Sequence, residues 1–457
     1  MAGIGFELRK LLRKNTFLGV LEAYAYAGVI GSGPWVFSIV GILAVGILSH
    51  GLIGDAADLV KFQTSVTYLV ASSLIFTGLV QLAFTRFVSD RLFENNDAII
   101  VPNLHGLLLI VIAVTTAVGT PLMFFVFPEE TVLYRLLMLA GFVLLSAIWV
   151  VTIFLSGMKR YKAVAVLFLI SYIFVVLTSV ALASFGLSGL LFGFVFGHFL
   201  LLAGMWSLTI KDFDKLDVLM QFDFTNIKLI FPSLIAIGFF YNLAVWIDKI
   251  IFWYYPATST QVIGHLRASP IYDIPVFLSY LSIIPGMAVF LVRIETDFVD
   301  YYNRFYNAVR DGGSLSYIEG MRDEMVFAIQ QGLSEIFKIQ GLTVLLTFVA
   351  GPSLLTMLGI SHLYLPLLYI QVVGASLQVG LMAVLNVFFY LDQRRVVLIL
   401  CAEFLVLNAL LTAVSLYAGA AFYGYGFTVS VLITLASGLW ILSRILDDLE
   451  YETFMLQ

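Results

Sequence analysis

Residues 28–37 read GVIGSGPWVF and lie in the middle of a long apolar run. Pro34 lacks a backbone N–H and its ring clashes with the preceding turn, so it kinks or breaks a helix. A bilayer tolerates a broken helix only where neighbouring protein or a water-filled cavity satisfies the freed backbone groups. The glycines are not typical of a phosphate-binding loop, because they lack the Lys-Ser or Lys-Thr ending and the preceding strand. The stretch therefore predicts a kinked helix inside a membrane.

The whole chain has the composition of an integral membrane protein. Of its 457 residues, 61% are hydrophobic and 12% are charged, whereas soluble domains have about 45–50% apolar and about 25% charged residues. The net charge of −5 argues against nucleic acid as a partner, because phosphate binding needs clustered Lys and Arg. Cys401 is the single cysteine, so no intramolecular disulfide is expected. The basic residues 1–15 precede an apolar run without a cleavage site, which predicts a retained helix rather than a signal peptide.

A helix needs about 20 mostly apolar residues to cross roughly 30 Å of hydrocarbon. Twelve segments of the chain meet this condition, and the predicted fold is an all-α integral membrane protein. The predicted spans are residues 21–48, 62–87, 105–127, 132–157, 163–185, 187–208, 229–254, 271–293, 339–358, 364–390, 396–418 and 425–443.

The Lys and Arg residues orient these spans, because cytoplasmic connections retain them. With both termini inside, 20 of the 24 basic residues fall on the inner side and only Lys61, Arg135 and Arg267 on the outer side, while Lys249 lies within a span. The outer connections are short, and the longest of them, about 255–270, could hold no independent domain. Both termini are therefore predicted to be cytoplasmic, with most extramembrane residues on that side.

Several features recur six spans apart. Pro34 and Pro232 interrupt the first and seventh predicted spans, and Arg86 and Arg293 end the second and eighth. Broken helices in matching positions of two halves point to a transport site. These matches predict two pseudo-symmetric six-helix lobes around a central cavity. The predicted division is an N-terminal lobe at 1–208, a cytoplasmic linker at 209–228, and a C-terminal lobe at 229–457 that includes a long cytoplasmic loop at 294–338.

Two adjacent charges lie in the sequence AVWIDKIIFW at residues 244–253. Asp248 and Lys249 are about 100° apart on a helix, so we expect no simple local ion pair. Counting from the inner edge at Lys228 places them near the outer interface, where Lys snorkels among Trp and Tyr. Alternatively, a bend at Pro232 turns them into a central cavity, where a wall of Trp, Tyr, Asn and charge suits sugars.

Other polar side chains within the spans have two interpretations. Ser73, Thr77, Gln81 and Thr85 form a stripe on the second span that either bonds neighbouring helices or lines a cavity. Glu403 is a carboxylate within the eleventh span, which is costly unless it is functional or neutral and hydrogen-bonded. The candidate transport-pathway residues are Trp35, Gln81, Arg86, Tyr241, Asn242, Trp246, Asp248, Lys249, Arg293, Gln371, Gln378 and Glu403.

The inner loop at 294–338 contains the sequence FVDYYNRFYNAV, whose apolar residues recur at helical spacing. It predicts an amphipathic helix lying on the inner membrane surface, ended by Gly312 and Gly313, with a second amphipathic piece at 317–337. The loop is acidic, which argues against attraction to anionic lipid as its main purpose. It is either a solvated loop or a docking site for a cytoplasmic partner. The sequence shows no metal cluster, catalytic triad or cofactor motif, so we expect a protein that is not an enzyme and carries no cofactor.

The two-lobed, twelve-span layout resembles the multidrug/oligosaccharidyl-lipid/polysaccharide exporter superfamily. The opening MAGIGFELRKLL, followed by AYAGVIGSGPW, is similar to the PelG family of inner-membrane Pel exopolysaccharide transporters. This resemblance implies passage of a nascent, GalNAc-rich polysaccharide across the bacterial inner membrane by alternating access. It also implies a cytoplasmic glycosyltransferase, PelF, and the membrane proteins PelD and PelE as partners, besides polysaccharide and membrane lipid. No family residue motif maps onto Asp248, Lys249 or Glu403.

Two alternatives stay open at this point. One is a cation-coupled exporter of small molecules or lipid-linked oligosaccharides, with Asp248 or Glu403 as the coupling carboxylate. The other is a membrane polysaccharide polymerase or ligase, against which the short outer connections speak.

Overall fold

The computed structural model describes residues 17–450 except 159, 213–217 and 227–228. Helices follow one another along nearly the whole of this part of the chain. They are α1 Phe17–Ser49, α2 Ala57–Phe93, α3 Ile100–Val126, α4 Val132–Gly157, α5 Tyr161–Ala181, α6 Gly186–Asp212, α7 Pro232–Tyr254, α8 Pro270–Leu281, α9 Ile284–Val292, α10 Val299–Arg310, α11 Leu315–Met357, α12 Leu365–Tyr390, α13 Arg394–Ala418 and α14 Tyr425–Asp447. A π-helical segment at Arg293–Phe298 joins α9 to α10.

The predicted multi-span helical architecture is confirmed. In the described residues, eleven helices are long and apolar enough to cross a membrane, and the bent first helix brings the number to twelve. The two parts of α1, Glu22–Pro34 and Val36–Ser49, meet at an angle of 63°. The kink predicted at Pro34 is therefore present, since proline removes one hydrogen bond of the helix.

The prediction that Pro232 breaks the seventh span is wrong. Pro232 is the first residue of α7, where its missing N–H costs nothing because the first turn has no intrahelical partner. Phe231 before it is extended (φ −104°, ψ 106°), as expected for a residue that precedes proline. The break lies in the eighth span instead, between Leu281 and Ile284, and is followed by Pro285 as the second residue of α9.

The connection at 294–338 consists of two helices rather than a loop. The π-helical segment runs directly into α10, a turn containing Gly312 (φ 69°) reverses the chain, and α11 continues for 43 residues. Helix α10 packs against α11, and its predicted location on the inner membrane surface stays a prediction. The predicted amphipathic piece at 317–337 and the ninth span are one continuous helix. We name residues 299–337 the helical hairpin.

The connection after α7 forms a small β-hairpin that was not predicted from the sequence. Strand β1 (Thr260–Ile263) pairs antiparallel with β2 (Leu266–Ala268), with Thr260 opposite Ala268. The hydroxyl of Tyr68 on α2 donates to the carbonyl oxygen of Arg267 at 2.9 Å. This contact fixes the hairpin to the first half of helix α2.

The chain forms two compact units. One is Gly33–Pro270, and the other is Ile271–Gln457 together with the residues up to Ser32. In the first unit, α2 packs on α4, α4 on α6, and α5 on α6. In the second, α9 packs on α12, α12 on α14, and α13 on α14, which is the same set of pairs six spans later. This recurrence supports the six-plus-six repeat, while the lobe limits at 208 and 229 stay a prediction.

The first unit places α7 against α2 at a crossing of two glycines. A Cβ added to Gly78 would lie 2.6 Å from the carbonyl oxygen of Gly238, so the two backbones touch. At the other end of this contact, the ring of Tyr68 stacks on that of Trp253 with centroids 4.4 Å apart. Glycine is needed at the crossing because no side chain fits between the helices.

The second unit repeats this arrangement with the start of α1 and with α9. A Cβ on Gly31 would lie 2.8 Å from Leu291, and one on Gly28 would lie 3.7 Å from Ala288. The buried Gln340 of α11 contacts the backbone at the break before α9. Its Nε2 donates to the carbonyl oxygen of Ile283 at 3.4 Å. Gly286 leaves room for this carboxamide, since a Cβ there would collide with it.

Candidate functional site

A cluster of partly exposed charged groups lies where the eighth span ends. Arg293, the first residue of the π-helical segment, contacts Asp297 through Nη1 at 2.7 Å and Glu335 of α11 through Nε at 2.5 Å. Tyr24 on α1 interacts electrostatically with the same guanidinium. We name Tyr24, Arg293, Asp297 and Glu335 the Arg293 network.

The fold brings these residues together from three elements that are distant in sequence. The π-helical segment begins directly after α9 and places Asp297 four residues after Arg293. Gly332 allows α11 to approach the π-helical segment closely, because a Cβ there would lie 3.3 Å from Cβ of Arg293. A planar guanidinium held by two carboxylates keeps its orientation, since two hydrogen bonds fix it on separate sides.

The Arg293 network has the chemistry of a site for hydroxyl-rich ligands. The side chains of Arg293, Asp297 and Glu335 are partly exposed (28%, 34% and 24%). Carboxylates accept hydrogen bonds from sugar hydroxyls, a guanidinium donates to them, and a tyrosine ring packs on the apolar face of a sugar. Of these residues only Arg293 was predicted as a site residue from the sequence, because the carboxylates were interpreted as part of an acidic loop that is either solvated or a docking site.

Behind this network lies a buried carboxylate that was not predicted from the sequence. Glu295 is 5% exposed and accepts hydrogen bonds from Nδ2 of Asn386 at 2.8 Å and from the hydroxyl of Tyr390 at 2.9 Å. The sequence contains a signal for its two partners, because Asn386 and Tyr390 are four residues apart and therefore lie on one face of α12.

The expectation that Asp248 and Lys249 form no local ion pair is wrong. Nζ of Lys249 lies 3.2 Å from both carboxylate oxygens of Asp248 and donates to the carbonyl oxygen of Val245 at 2.8 Å. The long, flexible lysine side chain bridges the angle that separates adjacent positions on the helix. Both residues are buried, with exposures of 0% and 5%, so the structure shows neither a lysine that snorkels nor a free carboxylate.

The aromatic side chains around this pair are also part of the packing. Nζ of Lys249 lies 5.9 Å from the ring centroid of Trp246, within range of a cation–π interaction. Trp246 and Trp253 are buried, and their ring centroids are 6.2 Å apart. Tyr241 and Asn242 lie about two turns before Asp248 and Lys249 on α7 and are half-buried, and Asn242 donates to the carbonyl oxygen of Gly238 at 2.9 Å.

The polar stripe on α2 divides into two parts. Ser73 and Thr77 are fully buried, and Nε1 of Trp149 on α4 donates to Oγ of Ser73 at 3.0 Å. This part bonds neighbouring helices, as one of the two interpretations predicted. Gln81 is half-buried and donates to Oγ1 of Thr77 at 2.8 Å, and Arg86 pairs with Asp90 at 2.9 Å.

Two of the remaining candidate residues have side-chain hydrogen bonds to other helices. Gln371 is buried and donates to the hydroxyl of Tyr272 at 2.9 Å, and Gln378 is buried seven residues later on α12. Glu403 is half-buried and accepts from Oγ of Ser437 at 2.8 Å. The side chain of Trp35 lies outside the described residues. No group of three or more His, Cys, Asp or Glu side chains in the described part of the chain could hold a metal ion.

Solved structures with the same fold are transporters. A multidrug resistance MATE family transporter of the MOP superfamily in an outward-facing conformation matches with a TM-score of 0.65 and 16% identity, over 92% of this chain and 95% of that chain. A MOP superfamily transporter from Pyrococcus furiosus matches with a TM-score of 0.63 and 15% identity, over 93% and 96%. A single-residue mutant of VcmN, a MATE transporter from Vibrio cholerae, matches with a TM-score of 0.62 and 11% identity, over 97% and 98%.

The comparison with protein families gives one match. The family described as "PelG: Putative exopolysaccharide Exporter (EPS-E)" matches residues 1–454. Among curated proteins, none matches the chain significantly. The structural similarity to these transporters shows the fold. The family match adds the class of substrate, an exopolysaccharide.

Proposed function

Since the chain belongs to the PelG family of exopolysaccharide exporters and has the fold of MATE transporters, we propose that it moves a nascent, GalNAc-rich polysaccharide across the bacterial inner membrane. The family match over residues 1–454 is the observation that carries this proposal. The fold and family point to a transporter rather than to a polymerase or ligase.

The Arg293 network is the part of the molecule that supports contact with a glycan. It combines hydrogen-bond donors, acceptors and a tyrosine ring, and its charged groups stay partly exposed. The alternative of cation coupling through Asp248 loses support, because Lys249 already neutralises this carboxylate.

The export proposal is tested by replacing Arg293 in the native host and measuring secreted polysaccharide and its galactosamine content. Arg293→Gln should lower secretion at equal protein level, since both carboxylates lose their partner and the donor to the sugar disappears. Arg394→Gln is the matched control, because Arg394 pairs with the half-exposed Asp392 at 3.1 Å outside the network. Normal secretion without the protein, or secretion of a polymer that lacks galactosamine, would rule out the proposal.

We also propose that the tip of the helical hairpin docks the cytoplasmic glycosyltransferase that makes this polymer, with PelF as the candidate and PelD and PelE as further membrane partners. Large apolar side chains are exposed there beside acidic ones, namely Leu315 (62%) and Tyr317 (54%) next to Asp311 and Glu319. An apolar surface surrounded by carboxylates fits a partner with apolar and basic residues.

Point substitutions test this docking better than deletion of 298–310, because Phe298 and Phe305 are fully buried. Leu315→Ser combined with Tyr317→Ser should abolish co-purification of the glycosyltransferase while the transporter still inserts. Phe93→Ser is the control, since Phe93 is 86% exposed at the end of α2 and lies outside the hairpin. Unchanged co-purification from the double variant would contradict docking at the tip.

A further inference from the structure

One short motif occurs twice in the chain, at a separation of 207 positions. The sequence is RFVSD at 86–90, near the end of α2, and RIETD at 293–297, in the π-helical segment. In each copy the arginine pairs with the aspartate four residues later, at 2.9 Å for Arg86 and 2.7 Å for Arg293. The exposed fractions of the side chains also agree, with 39% and 34% for Arg86 and Asp90 against 28% and 34% for Arg293 and Asp297. The first unit therefore contains a counterpart of the ion pair at the centre of the Arg293 network.

Each arginine has an aromatic neighbour, and the two neighbours are also 207 positions apart. Tyr24 on α1 interacts electrostatically with Arg293. Phe231 directly precedes α7, and its ring centroid lies 5.4 Å from Cζ of Arg86, within range of a cation–π interaction. The aromatic group comes in both cases from the beginning of the first span of a six-span set.

The glycines at the helix crossings follow the same repeat. Gly31, which meets Leu291 of α9, lies 207 positions before Gly238, which meets Gly78 of α2. Arginine, a hydroxyl residue, aspartate, an aromatic residue and glycine thus match at a single separation. An ion pair of partly exposed residues four positions apart on a helix contributes little to stability, so stability does not account for its presence in both halves. A function common to both copies does account for it.

The copy on α2 is more open than the copy in the π-helical segment. After Arg293, the helical hairpin brings Glu335 to the guanidinium. After Asp90, α2 ends at Phe93 and residues 94–99 join it to α3. Ser89 is accordingly exposed, whereas Thr296 at the matching position is buried. The first copy presents a guanidinium, a hydroxyl group and a carboxylate within five consecutive residues.

We propose that Arg86, Ser89 and Asp90 form a second sugar-binding site, which takes pyranose residues of the exported polysaccharide. The guanidinium donates to hydroxyl and acetamido oxygens, the carboxylate accepts from sugar hydroxyls, and the serine hydroxyl does either. Phe231 orients the guanidinium by packing against it. Each unit then carries a glycan contact of the same chemistry, which fits a ligand made of repeating sugars. The choice of a glycan as the ligand rests on the proposed function.

Equilibrium dialysis of the purified full chain in lipid nanodiscs against radiolabelled trisaccharides of N-acetylgalactosamine, N-acetylglucosamine and mannose tests this site. Arg86→Gln and Arg293→Gln should each halve the amount of N-acetylgalactosamine trisaccharide that the wild type binds. Arg91→Gln is the matched control, because Arg91 pairs with Glu94 at 2.8 Å near the same end of α2 but lies on a different face of the helix. It should bind as the wild type does.

The outcomes separate this site from the proposed function. Undiminished binding by Arg86→Gln, or a wild type that binds none of the three trisaccharides, would overturn the site. Binding of another trisaccharide that depends on Arg86 would keep the site and reject N-acetylgalactosamine as the substrate. Loss of all binding in Arg86→Gln, with Arg293→Gln unaffected, would keep the site and reject the Arg293 network as a glycan contact.

A second variant covers the case in which Arg86→Gln does not fold. Asp90→Ala changes a partly exposed side chain and, in an Arg293→Gln background, reads the site on α2 alone. It should lower the affinity for the trisaccharide by about tenfold, since a hydrogen bond to a charged group is lost. Glu94→Ala in the same background is the control and should leave the affinity unchanged. Equal affinities of the Asp90→Ala and Glu94→Ala variants would contradict the site.

Discussion

Gly78 and Gly238 bring the backbones of α2 and α7 into contact, since a Cβ on Gly78 would lie 2.6 Å from the carbonyl oxygen of Gly238. Gly78→Ala should therefore destabilise the protein by about 1–3 kcal/mol, because a carbonyl group cannot move aside as a flexible side chain can. Thermal unfolding can be followed by the reactivity of Cys401, which is buried and is the single cysteine of the chain.

The matched control for this prediction is Gly341→Ala on α11, where an added Cβ meets nothing within 4 Å. It should leave the melting temperature unchanged or raise it, since alanine favours helix by about 1 kcal/mol over glycine. Equal melting temperatures for Gly78→Ala and the wild type would show that the helices do not touch at this point.

The pair of Asp248 and Lys249 should behave as one unit. Asp248→Asn or Lys249→Met alone leaves a buried charge without its partner, which typically costs about 3–5 kcal/mol. The double variant should lose much less than the sum of the two. Lys61→Met provides the comparison, because Lys61 and Asp58 are partly exposed and such pairs contribute at most about 1 kcal/mol. Additive losses in the double variant would mean that the two charges act independently.

Ser73 should contribute to stability through its bond to Trp149. Ser73→Ala removes the acceptor of the indole N–H at 3.0 Å, and a helix-to-helix bond in a membrane protein is worth about 0.6 kcal/mol on average. Ser72→Ala serves as the control, since Ser72 is exposed and bonds within its own helix to the carbonyl oxygen of Tyr68. The prediction fails if both variants unfold at the same temperature.

Gln340 should be required for the break in the eighth span. Gln340→Leu removes the hydrogen bond to the carbonyl oxygen of Ile283, which keeps the N–H of Met287 as a donor at 2.9 Å, so the expected cost is about 0.5–1.5 kcal/mol. Gln330→Leu, at an exposed position of the same helix, should change stability little. Hydrogen exchange of the peptides around Ile283 should rise only in Gln340→Leu.

The spans could be predicted well because a segment of about 20 consecutive apolar residues satisfies its backbone hydrogen bonds in lipid by forming a helix. The ends of the fourth span, 132 and 157, agree with helix α4, and Pro34 lies at the bend of α1. The sequence prediction treated α11 as two elements, an amphipathic piece at 317–337 and a span at 339–358, because the first half of the helix is polar. Polarity marks where a helix leaves the bilayer, but it does not mark where the helix ends.

The site was harder to predict because contacts between distant helices leave no periodic signal. Glu335 and Tyr24 meet Arg293 from α11 and α1, more than 40 and 260 positions away along the chain. Rules for adjacent positions also gave the wrong expectation at Asp248 and Lys249, because they describe the direction of Cβ and not the reach of a lysine. Pro232 was misread since proline at the first helical position and proline inside a helix look alike in an apolar run.

Helix α11 joins the helical hairpin to the ninth span without interruption over 43 residues, which is about 64 Å at 1.5 Å per residue. No turn or loop separates the hairpin tip from the ninth span, so the two move as parts of one helix. If the docking proposed above holds, a partner bound at the tip is connected to this span through backbone hydrogen bonds alone.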